Sequence, residues 1–141
     1  MTIDINQLLK ELIAELENKF QDNFTGLVLF GSYARGTQKE HSDVDILLTF
    51  KKLPKSRFAR LELIENTIFL LEYKFKTEIN PVLAQENKLG ESFLMIDIAE
   101  YSHIIIDKNA KINKLFSSIK TRYEKGEYEK IAIGDHYMLK V

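Results

Sequence analysis

Between positions 31 and 45 the chain reads Gly31-Ser32-Tyr33-Ala34-Arg35-Gly36 and then, after a polar stretch, Ser42-Asp43-Val44-Asp45-Ile46. Ten residues separate Ser32 from Asp43, giving the pattern G-S, ten residues, D-x-D. In an extended segment Asp43 and Asp45 point to one side while Val44 and Ile46 face the core. Two carboxylates held side by side repel and are driven toward protonation unless a cation joins them. Mg²⁺ suits such a pair, because it binds carboxylates together with the phosphate oxygens of a substrate. Gly31 has no Cβ and lets the backbone approach a ligand closely. At a strand-to-helix turn the amides of Gly31 and Ser32, and the Ser32 hydroxyl, are donors of the kind that cradle phosphate. Arg35 adds a fixed positive charge for a polyphosphate. A lone D-x-D or Gly-Ser pair is common in solvated turns; the joint spacing, with each part fastened to an apolar run, points to metal-assisted nucleotidyl transfer.

Those runs are Leu27–Phe30 before the glycine and Ile46–Leu48 after the aspartates, read as strands over 25–30 and 44–50. About a dozen residues without a strong helix join them, so they are expected to be antiparallel neighbours. Residues 3–22 repeat apolar side chains at helical spacing (Ile5, Leu8, Leu9, Leu12, Ile13, Leu16, Phe20), with Asp4 or Thr2 as a cap. A second helix is predicted over 56–75, then a strand over 76–84 that holds Glu78–Leu83, with Pro81 placing it at a sheet edge or ending it. A helix over 92–99, a strand over 103–107, a helix over 112–123 and a tail strand or hairpin at about 131–141 complete the order. The class is α+β with a short mixed sheet flanked by helices, in one domain over 1–141.

The 141-residue chain has 20 basic and 21 acidic residues, so no global field draws it to nucleic acid or membrane. It has no cysteine, which excludes disulfides, zinc–thiolate sites and thiol nucleophiles. Without a signal-peptide pattern or a membrane-length apolar run, a soluble cytoplasmic protein is expected.

Gly31–Gly36 with Ser42–Leu47 resembles the signature of the DNA polymerase β-like nucleotidyltransferase superfamily, most closely its minimal branch, the MNT antitoxins encoded beside HEPN toxins. A helix ahead of the motif and the tail Gly134–Lys140 extend the likeness over most of the chain, although Tyr137-Met138 stands where an aromatic pair is usual. The resemblance implies the polymerase β-like fold and two Mg²⁺ ions held by three carboxylates. Asp43 and Asp45 are two of them, and Glu78 is the candidate for the third, taken as catalytic and metal ligand. Asp97, in a helix, is a poor substitute. Gly31, Ser32, Arg35 and Ser42 are the candidate nucleotide-binding residues. The implied reaction is attack by an acceptor oxygen on the α-phosphate of ATP, with transfer of AMP to a tyrosine of a HEPN toxin partner.

Two alternatives stay open: transfer to a small molecule or an RNA end, and an antitoxin that neutralises its toxin by binding alone. No direct nucleic-acid contact is expected, since Lys51, Lys52 and Lys55 read as a solvated strand end. Phe69, Tyr73 and Phe75 read as core, His41 as a solvated loop residue, and His103 and His136 have no evident partner.

Overall fold

A computed structural model describes residues 3–127 and the strands Glu129–Ile133 and His136–Lys140. Helix α1 (Ile5–Phe20) is capped by Asp4, whose carboxylate accepts from the Gln7 amide, and buries Leu8, Leu9, Leu12 and Leu16. Strand β1 (Phe24–Phe30) runs into a single helical turn, α2 (Ser32–Arg35), and the loop after it leads to β2 (Val44–Phe50). Helix α3 (Arg57–Phe75) starts at Ser56, whose hydroxyl accepts from the Ala59 amide. Strand β3 (Ile79–Gln85), helix α4 (Phe93–Glu100), strand β4 (Ser102–Asp107) and helix α5 (Lys111–Glu124) follow.

The four strands form one sheet in the order β3-β2-β1-β4. As expected, β1 and β2 are antiparallel, with Phe30 opposite Asp45. Strand β3 lies at the edge beside β2 and runs parallel to it. A parallel pair cannot be closed by a hairpin, and α3 supplies the crossover. The mixed sheet follows from this one connection.

Strand alternation divides the core between the two faces of the sheet. Leu27, Leu29, Ile46, Leu48 and Phe50 pack with α1 and α3, and Val28 and Leu47 pack with α4 and α5. Asp45 shares the parity of Leu47, so its side chain emerges on the α4–α5 face where that face runs out at the sheet's end. The strands β5 (Glu129–Ile133) and β6 (His136–Lys140) pair antiparallel in a separate hairpin, in the region expected for a tail hairpin. Residues 134, 135 and 141 of that region lie outside the described residues, as do the side chains of Tyr137 and Met138.

Two expectations need correction. Phe69 and Tyr73 are not core: they are 62% and 88% exposed, because the inward face of α3 is Ile64, Thr67, Ile68 and Leu71. Only Phe75 of the three packs on the core, as a partly buried residue. Phe58 and Leu61, on the same helix, are also exposed.

Candidate active site

The end of β1, the starts of β2 and β3, and α2 meet at one end of the sheet. There the backbone at Gly31 adopts φ +73°, and a Cβ at that position would overlap the Asp45 Oδ2 atom and stand 3.0 Å from its Cγ. Glycine is therefore required twice over, by its dihedral angle and by the closeness of the carboxylate. The Gly31 carbonyl accepts from the amides of Ala34 and Arg35, both at 3.1 Å, which turns the chain straight from strand into α2. Ser32 begins that turn.

Asp43 immediately precedes β2 and Asp45 is its second residue. Their side chains lie together, because one group bridges them: Asn80 Nδ2 donates to Asp43 Oδ2 at 3.0 Å and to Asp45 Oδ1 at 3.4 Å. The parallel register sets Asn80 level with Asp45. Partial burial pushes the Asp45 carboxyl above its ordinary range; the Asn80 hydrogen bond opposes that shift, and the Asp43 charge adds to it. Both aspartates are half-buried, and Asn80 is exposed.

Glu78 takes a different place from the one expected of a third metal ligand. It precedes β3 rather than opening it, and its carbonyl accepts from the Val44 amide at 2.8 Å. Its side chain is exposed and lines an open polar cleft with Glu40, His41, Asp43, Lys76 and Thr77. Among the described residues, no three His, Cys, Asp or Glu side chains gather closely enough to hold a metal ion. The three carboxylates are thus not gathered into one group: alternation puts positions 78 and 80 on one face, but the parallel register sets position 80, an amide, level with Asp45. Alternation from Glu78 would have marked Asn80 in the sequence, had neutral oxygen ligands been counted with the acids.

The remaining candidates are engaged locally. Arg35 turns toward α4, with its guanidinium 3.9 Å from Asp97 and 5.4 Å from the ring centre of Tyr101. Ser42 Oγ accepts from the Lys39 amide at 2.7 Å, closing the loop ahead of the aspartates. His103 has a partner after all: its Nε2 lies 3.1 Å from the Ala34 carbonyl, tying β4 to α2.

The donor set fits a divalent cation. Asp43 and Asp45 present hard anionic oxygens on one face, and Asn80 carries a carbonyl oxygen of the kind Mg²⁺ and Ca²⁺ accept. Gly31, lacking a Cβ, lets the Asp45 carboxylate pack directly against the backbone of the turn. This is a two-carboxylate site with an amide arm.

Such a site on a mixed sheet defines a nucleotidyltransferase domain, and the chain belongs to that family: residues 9–129 match the nucleotidyltransferase domain. A Methanocaldococcus jannaschii protein, provisionally named a protein adenylyltransferase, is 38% identical over 86 residues, which span 61% of this chain and 58% of that protein. Protein adenylyltransferase MntA of Thermococcus cleftensis is 42% identical over 60 residues, 42% of this chain and 59% of that protein. The chain thus matches a little over half the length of these relatives. Among solved structures, a toxin–antitoxin complex with AMP-PNP contains a chain that superposes with a TM-score of 0.57 at 19% identity, covering 82% of this chain and 87% of that one; the likeness is one of fold. No helix among the described residues is long and apolar enough to cross a membrane.

Proposed function

We propose that this chain is a Mg²⁺-dependent protein adenylyltransferase, an MNT antitoxin that transfers AMP from ATP to a tyrosine of a HEPN toxin. The observation that carries this reading is the convergence of Gly31, Asp43, Asp45 and Asn80 at one end of the sheet. The adenylyltransferase names of its relatives support a protein as acceptor. The toxin–antitoxin neighbour that holds an ATP analogue supports the nucleotide and a toxin partner.

In this reading Asp43 and Asp45 hold the metal, with Asn80 beside them. Gly31 gives the triphosphate a close backbone approach, and Ser32 offers it donors from the first turn of α2. Arg35, paired at an exposed surface with Asp97, can exchange that weak ion pair for phosphate at little cost. When bound, Mg²⁺ offsets the charge of the triphosphate and lowers the pKa of the acceptor hydroxyl.

Asn80, neutral at the third position of the site, favours one other reading: an antitoxin that acts by binding alone. A single experiment separates the two. The protein is incubated with Mg²⁺, each nucleoside triphosphate and the product of its neighbouring gene, and both proteins are weighed by intact-mass spectrometry. An AMP-sized gain on the partner with ATP, lost in Asp43→Asn at unchanged thermal stability, is the expected result. Neutralisation of the partner without any mass gain would establish binding alone instead.

A further inference from the structure

Asn80 donates hydrogen bonds to both aspartates, and on the proposed function its role can be taken further. Its amide has two faces: Nδ2 donates, Oδ1 accepts, and half a turn about the last side-chain bond exchanges them. With the carboxylates facing each other, Nδ2 lies between them and relieves their repulsion without adding charge. Facing a cation, the same group can offer Oδ1 as a third oxygen. Asn80 is exposed, and its amide makes these two hydrogen bonds from the surface, so the turn needs no repacking. Glu78, two residues earlier, lines the open cleft beside Asp43.

We propose that Asn80 is the neutral third arm of the cation site, setting its charge at two negatives rather than three and so making tight cation binding depend on the phosphates of the nucleotide. The physical reason is electrostatic. Each added carboxylate strengthens the hold on a divalent ion, and ligand charge is a principal control on the affinity of such sites. With one carboxylate fewer, the protein alone holds the ion weakly, and the triphosphate must supply the missing negative charge. The site loads the cation and the nucleotide together.

Mn²⁺ serves as the probe, titrated into the purified protein by calorimetry and by thermal shift, with no nucleotide present and then with a non-hydrolysable ATP analogue. Without nucleotide, Asn80→Asp is expected to bind Mn²⁺ at least about tenfold more tightly than the unaltered chain, about 1.4 kcal/mol. Asn80→Leu should bind it more weakly, and Glu78→Gln should bind as the unaltered chain does. The analogue should strengthen Mn²⁺ binding by a larger factor in the unaltered chain than in Asn80→Asp. The thermal transition of each variant reports its folding, so a loss of binding is read only against a folded sample.

Equal Mn²⁺ affinity in Asn80→Asp and the unaltered chain overturns this role for Asn80, as does weakened binding in Glu78→Gln with none in Asn80→Leu. Asp43→Asn separates the two levels. If it abolishes Mn²⁺ binding while Asn80→Asp changes nothing, only the role of Asn80 fails. If it too leaves binding unchanged, no cation is held at these aspartates, and the proposed metal-dependent function fails with it.

Discussion

Asp45 carries two opposed demands under the proposed function, which needs its ionised form to hold a cation, whereas partial burial and Asp43 disfavour that form. Its folded-state pKa lies above the ordinary 3.8, so the folded protein binds this proton more tightly than the unfolded chain does. Ionised Asp45 therefore costs stability above its folded pKa, and that cost is relieved as the pH falls through that value toward 3.8. In metal-free buffer, Asp45→Asn should raise the melting temperature at neutral pH, and the gain should shrink toward zero near the ordinary aspartate pKa. Melting curves across that range check both the sign and the window. Gly31 presents the reverse case. Its φ of +73° and its contact with Asp45 leave no room for a methyl group. Gly31→Ala should cost about 1–3 kcal/mol in denaturant unfolding. It should also lose transfer activity, because the carboxylate must move to clear the new Cβ.

At the level of elements, the fold keeps its stabilising caps away from its chemistry. Asp107 ends β4 at the far end of the sheet, where Gly26 pairs with it on one side and with Thr49 on the other. Its carboxylate accepts from the amides of Ile112 and Asn113 at 3.2 and 2.8 Å, capping α5 in place of Ala110. Asp107→Ala should lower stability by about 1 kcal/mol, seen as a lower urea midpoint at unchanged slope. Transfer activity should hold, since the aspartates lie at the opposite end of β2. His103 works at the active end, where its ring nitrogen meets the Ala34 carbonyl and fixes the turn that carries Ser32 and Arg35.

Across the whole molecule, two apolar clusters on opposite faces of one sheet hold the site between them. Leu12 is fully buried in the cluster of α1 and α3, and Leu12→Ala should cost about 2–5 kcal/mol of unfolding free energy. Because that cluster includes Val44 and Ile46 on either side of Asp45, the loss should also weaken Mn²⁺ binding at temperatures below the melting point. Calorimetric titration of the variant, folded by circular dichroism, tests this coupling. The outer face of α3 leaves Phe58, Phe69, Leu70 and Tyr73 exposed, so the helix that closes the parallel crossover is amphipathic only in part.

Much of this was legible in the residues. Local patterns fix local outcomes: the apolar runs on either side of Gly31 and Asp45 became β1 and β2, and the short connection made them antiparallel. Asp4 caps its helix because a side-chain oxygen there meets free amides whatever lies beyond. The pairing of Gly31 with the aspartates was readable for the same reason, as both parts lie within fifteen residues and on adjoining strands. Only the tertiary structure could decide what comes from afar. The parallel register of β3 against β2 follows the α3 crossover, and it set Asn80 level with Asp45, within hydrogen-bond reach of both aspartates. The side of α3 that faces the sheet, and hence the exposure of Phe69 and Tyr73, was fixed by the same crossover. So was the contact of His103 with α2, which joins residues 69 positions apart through a strand order that no short stretch of sequence encodes.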